Sequence, residues 1–169
     1  REFTFYDCVA ALFGMSKMLD QVVELSQRIF APITAGGGIR NFSQAQSIFE
    51  NGADRIAINT MLFDSNGLVQ RISDNYGAQS IVGMLEIKKI GKEWHLFKEL
   101  GREPVGLVFQ DGLELCERSG IGEVNITAID HDGLCSGFPT ELCEAIPRQY
   151  SIPVVLGGGF GGLDDIERI

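Results

Sequence analysis

The sequence predicts an incomplete (βα)8 barrel, the TIM-barrel fold, that covers about strands 2 to 7 of the eight. Glycine triplets at residues 36–38 and 157–159 each follow a short apolar run, and they lie 121 residues apart. The same offset separates Glu2 from Glu123, which open two further apolar runs. Because one βα unit takes about 30 residues, this offset corresponds to four units and predicts two similar half-barrels.

In the first half of the chain, short apolar runs alternate with amphipathic stretches, the pattern of parallel α/β proteins. The runs predict strands at Phe3–Tyr6, 32–35 and 55–59, and the stretches predict helices at 15–30, 43–51 and Leu68–Tyr76. Ser43 is the predicted N-cap of the second helix, and Gly52 is predicted to end that helix.

The second half repeats this alternation but contains one longer interval. Strands are predicted at 80–87, 123–129 and 152–156, and helices at 111–119 and from about residues 140 and 163. The strand ends Glu86 and Asp130 are 44 residues apart, farther than any other successive pair of strand ends. Alternation and glycines over 88–102 predict a β-hairpin above the carboxyl ends of the strands. Such a hairpin is either a lid over a catalytic face or a plain surface feature.

The predicted domain organisation is a single barrel domain, residues 1–169, that lacks roughly one βα unit at each end. Six strands are predicted, whereas a closed barrel needs eight. The missing units are adjacent in the closed barrel, so two strands become open edges and self-association through them is expected. A chain of this extent is predicted to be catalytically silent because parts of the active site are missing.

Composition excludes several classes of function. With 44% apolar and 22% charged residues, the 169-residue chain can bury one sizeable core. A net charge of −9 argues against sequence-independent nucleic-acid binding, and no apolar run is long enough to predict a membrane span. The four cysteines have neither metal-ligand spacing nor disulfide density, which favours a cytoplasmic protein. We expect no metal site and no cofactor.

Glycines at the carboxyl ends of barrel strands let backbone N–H groups approach a phosphate closely. The candidate phosphate-binding residues form two groups on opposite sides of the barrel mouth: Gly37, Gly38, Asn59 and Thr60, and then Gly133, Gly158 and Gly159. Two such cradles suit a long small-molecule substrate that is phosphorylated at both ends. The alternative is that these glycines only permit tight turns between strand and helix.

Four carboxylates follow predicted strands: Asp7, Glu86, Asp130 and Asp132. A ring of carboxylates partly shielded from water can shift a pKa toward neutrality, as a general acid or base requires. Asp132 and Glu86 belong to adjacent strands and are therefore the candidate catalytic residues. Each is also a common type of turn or helix-capping residue.

These motifs resemble the cyclase (synthase) subunit of imidazole glycerol phosphate synthase. The similar segments cover nearly the whole chain, and they include GGGIR, INT, IDHDGLCSG and LGGGF in the expected order. The resemblance implies a half-barrel duplication and two phosphate sites. It also implies a linear ribonucleotide substrate with a phosphate at each end. Ammonia from a glutaminase partner subunit would travel through the barrel and attack this substrate.

The resemblance also implies roles for individual residues. Asp132 resembles the strand-six catalytic aspartate of the family, and Glu86 stands where an aspartate is usual. Glu2, Arg55 and Glu123, at the amino-terminal ends of their strands, match the charged ring through which ammonia enters. A surface network of ion pairs is the alternative for these three.

Glu86 and the apolar Leu134 and Cys135 depart from the family pattern. Similar departures occur in cyclase-like proteins that form acetamidino groups on nucleotide-sugars for surface glycans. Three hypotheses therefore stand: a histidine-pathway cyclase, its sugar-modifying relative, and a non-catalytic barrel fragment.

Overall fold

The computed structural model describes residues 2–7, 16–64 and 67–167. Its strands are β1 Phe3–Tyr6, β2 Ile33–Gly36, β3 Arg55–Ile58, β4 Ile81–Ile90, β5 Glu93–Lys98, β6 Glu103–Val108, β7 Glu123–Ala128 and β8 Val154–Gly157. Its α-helices are α1 Ser16–Arg28, α2 Phe42–Glu50, α3 Leu68–Tyr76, α4 Phe109–Arg118, α5 Glu141–Ala145 and α6 Leu163–Glu167. Short 3-10 turns occupy Thr60–Phe63 and Ala78–Ser80. The predicted start of the first helix, at residue 15, lies outside the described residues.

Six of these strands form one parallel sheet in the order β1-β2-β3-β4-β7-β8. Of the other two, β5 pairs antiparallel with the upper part of β4, and β6 pairs antiparallel with β5. Helices connect the parallel strands, as right-handed βα units require. The predicted fold, a partial (βα)8 barrel, is therefore confirmed, and so is the hairpin inserted after the fourth strand.

The two half-barrels share one register. Phe3 pairs with Ile33 in the β1–β2 ladder, and the residues 121 positions later, Val124 and Val154, pair in the β7–β8 ladder. The Phe3 N–H donates to the Pro32 carbonyl at 2.9 Å, and the Val124 N–H donates to the Pro153 carbonyl at the same distance. The sequence repeat is thus also a repeat of backbone geometry.

Side-chain alternation along the strands separates the core from the barrel interior. On β7, Val124, Ile126 and Ala128 are buried against the helices, whereas the residues between them face the barrel axis. The helix-facing layer includes further fully buried side chains: Met18, Val22, Ile48, Ile56, Ile72, Leu85, Ile87, Phe109 and Leu113. Burial of each of the larger ones contributes about 1.5–3 kcal/mol, so this layer fixes the strand ends that carry the site.

Most predicted boundaries differ from the observed ones by one to three residues, and three of these differences have a clear local cause. The N-cap of α2 is Asn41 and not Ser43, because the Asn41 Oδ1 accepts the Gln44 N–H at 2.9 Å. Helix α4 begins at Phe109, two residues before the predicted start, because the Asp111 carboxylate accepts the Val108 N–H at 3.1 Å. Strand β4 continues to Ile90 because β5 pairs with its upper half.

Two strands, β1 and β8, form the edges of the parallel sheet in the described part of the chain. Their outer surfaces are partly apolar, with Phe3 39% and Val155 50% exposed. Self-association through these edges stays a prediction. None of the described helices is both long and apolar enough to cross a membrane.

Candidate functional site

A cavity of about 580 Å³ lies at the carboxyl ends of the parallel strands. In the (βα)8 fold, this is the face that carries active sites. Seven of the residues predicted for catalysis or phosphate binding line this cavity: Gly37, Gly38, Asn59, Thr60, Glu86, Asp132 and Gly158. The topology thus brings the first predicted cradle and both predicted catalytic carboxylates into one space.

The loop after β2 approaches the cavity through its backbone. Gly37 and Gly38 have φ angles of 127° and 63°, a region that side chains disfavour. A Cβ on Gly37 would lie 2.2 Å from the Asp7 carbonyl oxygen, so only glycine fits between the ends of β1 and β2. This close approach gives Gly37 a structural role, and phosphate binding by the loop stays a prediction.

Asn59 and Thr60 lie at the end of β3, but the Asn59 amide is already engaged. Its Nδ2 donates to the Met84 carbonyl at 2.9 Å and so ties β3 to β4. Thr60 Oγ1 is 3.4 Å from Asn59 Oδ1. Thr60 therefore offers the hydroxyl at this strand end, while Asn59 holds the strand ends together.

Glu86, near the middle of β4, points into the barrel mouth. Its Oε2 accepts the Gly101 N–H at 2.9 Å from the turn between β5 and β6. Burial raises the pKa of the Glu86 carboxyl, and the nearby Glu99 charge raises this pKa further, while the Gly101 hydrogen bond opposes both. A carboxyl with a raised pKa can hold a proton for transfer at higher pH than an ordinary glutamate.

The hairpin turn forms one wall of the cavity through Glu99 and Leu100. These two residues have φ angles of 54° and 60°, and Gly101 follows with 73°. Consecutive left-handed residues other than glycine are strained and cluster at functional sites. A salt bridge of 3.1 Å between Arg40 and Glu99 links this turn to the loop after β2, which we call the first glycine loop. The turn therefore lies at the cavity, and the role of the hairpin as a lid stays a prediction.

Asp132 lies on the turn after β7 and is exposed at the cavity mouth. Its N–H donates to the Ala128 carbonyl at 3.0 Å, which folds the turn back over the strand end. Asp130 has a different position, since its Oδ2 accepts the Lys89 N–H at 3.4 Å. Its Oδ1 is buried and finds no hydrogen-bond donor among the described residues. The structure thus places Asp132, and not Asp130, on the cavity.

The second predicted cradle is only partly assembled at the cavity. Gly158 lines it, and a Cβ there would lie 2.6 Å from the Ala128 carbonyl, which repeats the Gly37 packing 121 residues later. Gly159 is buried, and its carbonyl accepts the Gly137 N–H at 2.9 Å. Gly133 is exposed on the neighbouring turn, with a φ of 73°. Of the three predicted residues, the cavity wall therefore contains one.

The three residues predicted for the charged ring meet at the amino-terminal ends of the strands. Arg55 Nη1 lies 3.1 Å from Glu2 Oε1, and Arg55 Nη2 lies 3.0 Å from Glu123 Oε2. Arg55 Nε also donates to the Gln79 carbonyl at 3.0 Å, and Thr34 donates to Glu2. We call Glu2, Arg55 and Glu123 the amino-end ion cluster. The Arg55 side chain is only 14% exposed, so this cluster is more buried than a surface ion-pair network.

The charge of the cavity is unbalanced. Among the described residues, four carboxylates line it, Asp7, Glu86, Glu99 and Asp132, together with one cation, Arg40. An anionic ligand there must therefore rely on backbone N–H groups as well as on Arg40. Within residues 2–7, 16–64 and 67–167, no group of three His, Cys, Asp or Glu side chains is placed to hold a metal ion.

Several residues that shape the cavity were not singled out from the sequence: Tyr6, Arg40, Met84, Thr127, Ile129 and Leu100. A usable signal was present for those on strands. Tyr6, Met84 and Thr127 are an even number of positions from Glu2, Glu86 and Glu123, so they share the inward face of their strands. Leu100 lies in an irregular turn, for which no periodic signal exists.

Comparison with known proteins gives the family. The sequence model described as "Histidine biosynthesis protein" matches residues 1–169. The chain belongs to this family. The resemblance noted from the sequence motifs is thereby confirmed.

Individual relatives agree with this assignment. Over 168 residues, the chain is 33% identical to the imidazole glycerol phosphate synthase subunit HisF of Dictyoglomus thermophilum, which covers 99% of this chain and 67% of that relative. It is 34% identical to the subunit of the same name from Sulfolobus acidocaldarius, over 99% of this chain and 68% of the relative. A Legionella pneumophila relative of that name is 34% identical over 98% of this chain and 79% of its own length. The chain thus spans about two thirds of the first two relatives.

Proposed function

We propose that this chain forms the central part of an ammonia-dependent cyclase of histidine biosynthesis. The reaction converts a bisphosphorylated ribonucleotide and ammonia into imidazole glycerol phosphate and an aminoimidazole carboxamide ribonucleotide. The observation that carries the proposal is that Glu86, Asp132 and the Gly37–Gly38 backbone line one cavity. Relatives named as subunits of imidazole glycerol phosphate synthase support the choice of reaction.

Glu86 and Asp132 are the proposed acid–base pair. Ring closure and elimination require protons to leave and reach the substrate, and positioned carboxyl groups accelerate such transfers by about 10²- to 10⁴-fold. Glu86 is the candidate acid because burial raises its pKa. Asp132, exposed at the mouth, is the candidate base.

Phosphate binding is assigned to backbone groups at two places. The first uses Gly37 and Gly38 with the Thr60 hydroxyl, next to Arg40. The second uses Gly158 with the adjacent Gly159, and also Gly133. A phosphate there would have binding partners on the loop after β8 and on the turn after β7. Their opposite positions suit a substrate with a phosphate at each end.

The amino-terminal face is the proposed docking surface for a glutaminase subunit. The amino-end ion cluster lies there and would form the ring through which ammonia enters the barrel. Phe30, just before β2 on the same face, is fully exposed. A large apolar side chain in this position is typical of an anchor at a protein–protein interface.

The test uses a completed barrel, in which this chain is joined to the flanking segments of the Dictyoglomus thermophilum relative. Ammonium chloride and the bisphosphorylated ribonucleotide should yield both products, and a nucleotide-sugar should yield none. Product from the nucleotide-sugar alone would favour the acetamidino-forming reaction instead. A folded completed barrel that transforms neither substrate would contradict the proposal and favour a non-catalytic role.

A further inference from the structure

The hairpin turn between β5 and β6 contacts three other parts of the molecule. Glu99 pairs with Arg40 of the first glycine loop at 3.1 Å, and Gly101 donates its N–H to Glu86 Oε2 at 2.9 Å. Gly101 also lies against Ile129, because a Cβ on this glycine would be 2.9 Å from the Ile129 Cδ1. From these contacts we propose that Arg40 is a positioning residue that, through Glu99, holds the Gly101 N–H on the Glu86 carboxylate.

The backbone of the turn needs such contacts to keep its conformation. Glu99, Leu100 and Gly101 have φ angles of 54°, 60° and 73°, so three successive residues are left-handed. Residues other than glycine disfavour this region and enter it as single residues far more often than in succession. Leu100 is 49% exposed, so its own packing does little to hold the turn. Tertiary contacts of the neighbouring residues must therefore keep the turn in place.

The two strands below the turn fix its base. Lys98 pairs with Glu103 in the β5–β6 ladder, and the Lys98 Nζ lies 3.8 Å from the Glu103 carboxylate. Both residues belong to the hairpin, so this pair moves together with the turn. Arg40 belongs to a different loop, and its ion pair with Glu99 therefore sets how the turn lies relative to the rest of the cavity.

The charges around Glu86 give this contact a chemical consequence. Among the described residues, the other ionisable side chains on the cavity are Tyr6 and Asp7 at the end of β1, Arg40 after β2, Glu99 on the hairpin turn and Asp132 after β7.

Of these groups, Glu99 is the one whose charge raises the Glu86 pKa, whereas the Gly101 hydrogen bond lowers it. Loss of the Arg40 cation would leave the Glu99 charge uncompensated and would also loosen the Gly101 hydrogen bond. Both changes raise the Glu86 pKa. A catalytic effect of this shift rests on the proposed function, in which Glu86 is the acid, but the positioning itself does not.

The proposal is tested by NMR on the 169-residue chain, without substrate. Exchange of the Gly101 amide with solvent is measured at a pH at which Glu86 is ionised, and the Glu86 carboxyl is titrated through its ¹³C signal. Arg40→Gln should speed Gly101 exchange about two- to fivefold, the effect of a partly exposed ion pair, and should raise the Glu86 pKa. The Gly91 amide, in the turn between β4 and β5, should keep its exchange rate.

A control variant and a second variant sharpen this result. Arg28→Gln breaks an exposed ion pair of 3.0 Å with Glu24 on α1 and should change neither quantity. Glu99→Gln should speed Gly101 exchange by a factor similar to that of Arg40→Gln. The double variant should exchange no faster than either single one, because both substitutions remove the same contact. If Arg40→Gln fails to fold, as its backbone spectrum would show, Glu99→Gln still decides the question.

Three results would overturn the positioning role: unchanged Gly101 exchange in both single variants, multiplied effects in the double variant, or a Glu86 pKa that does not rise in Arg40→Gln. None of them depends on turnover. A completed barrel that is inactive while Gly101 and Glu86 respond as expected would contradict the proposed function and leave this role standing. An active completed barrel whose parent chain shows no response would contradict only the role of Arg40.

Discussion

The two ends of this barrel use charge in opposite ways. At the amino end, Arg55 lies between Glu2 and Glu123, so each charge there has an opposite charge within 3.1 Å. At the carboxyl end, four carboxylates share the cavity with one arginine among the described residues; this arginine pairs with Glu99, and Glu86 accepts the backbone N–H of Gly101. Backbone strain is also found at the carboxyl end. The three described non-glycine residues with positive φ, Glu99, Leu100 and Cys135, all lie on turns at that end.

This difference suggests that the amino end serves stability and the carboxyl end serves chemistry. Charges that pair with one another have little reason to exchange protons, whereas burial raises the pKa of the Glu86 carboxyl at the other end, so that this group can hold and transfer a proton. Strain is tolerated at the carboxyl end because the parallel strands and the helix-facing core hold that end in place. The following predictions test this division, beginning with the largest expected effect.

Replacement of Asp132 should remove most of the activity. In the completed barrel, Asp132→Asn is expected to lower ammonia-dependent turnover by about 10²- to 10⁴-fold without loss of stability, because the side chain is exposed at the cavity mouth. Steady-state product formation and thermal melting measure the two quantities. Asp20→Asn, on the exposed surface of α1, is the matched control. Turnover equal to that of the parent would remove Asp132 from the catalytic assignment.

The first glycine loop should tolerate no side chain. Gly37→Ala places a Cβ 2.2 Å from the Asp7 carbonyl at a φ of 127°, and this overlap with strain should cost about 2–4 kcal/mol. Gly91→Ala, where φ is 65° and no atom lies within 4 Å, should cost only about 1 kcal/mol. Urea denaturation of the chain compares the two variants. Equal losses would show that the approach of β1 to this loop is not tight.

The amino-end ion cluster should contribute to stability in proportion to its burial. Arg55→Met leaves two carboxylates without their cation and should lower the free energy of unfolding by about 2–3 kcal/mol. The loss would be larger for a fully buried ion pair, but the Glu2 side chain remains 35% exposed. Arg28→Ala removes an exposed pair with Glu24 and should change stability by less than about 0.5 kcal/mol. A similar small loss in both variants would make the cluster an ordinary surface network.

Replacement of Glu86 should have the smallest effect on stability. It should change how the free energy of unfolding depends on pH. Burial raises the Glu86 pKa in the folded state, so the folded chain holds this proton to higher pH than the unfolded chain. The free energy of unfolding should therefore fall as pH rises from the ordinary glutamate value through the folded pKa. Glu86→Gln should remove this decline and keep the Gly101 hydrogen bond, whereas the exposed Glu114→Gln should preserve it. A decline unchanged in Glu86→Gln would exclude a raised pKa.

Regular elements were predictable because their signals are local. Helix α3 was predicted at its observed bounds, Leu68–Tyr76, from its amphipathic pattern. The 121-residue repeat gave the half-barrel relation that the two ladders share. Caps were less predictable, since Asn41 and Ser43 are both good N-cap residues and only the fold selects between them.

The site was predictable where strand ends define it and not where distant contacts define it. Glu86 and Asp132 could be placed at one mouth because adjacent parallel strands end on the same side. The Asn125–Tyr6 hydrogen bond spans 119 residues and depends on barrel curvature, which no local pattern encodes. The strained turn at Glu99 and Leu100 is set by pairing of β5 with β6 and by the Arg40 contact. These tertiary contacts outweigh local backbone preference.

The most direct test of the division between the two ends compares two nitrogen sources in the completed barrel with its glutaminase partner. Glu123→Ala opens the amino-end ion cluster and should lower glutamine-dependent turnover while turnover with free ammonium chloride is retained. Asp132→Asn should lower both activities by the same factor. If Glu123→Ala instead lowers both activities equally, or lowers neither, the amino end does not control ammonia entering the barrel and the proposed division of roles is wrong.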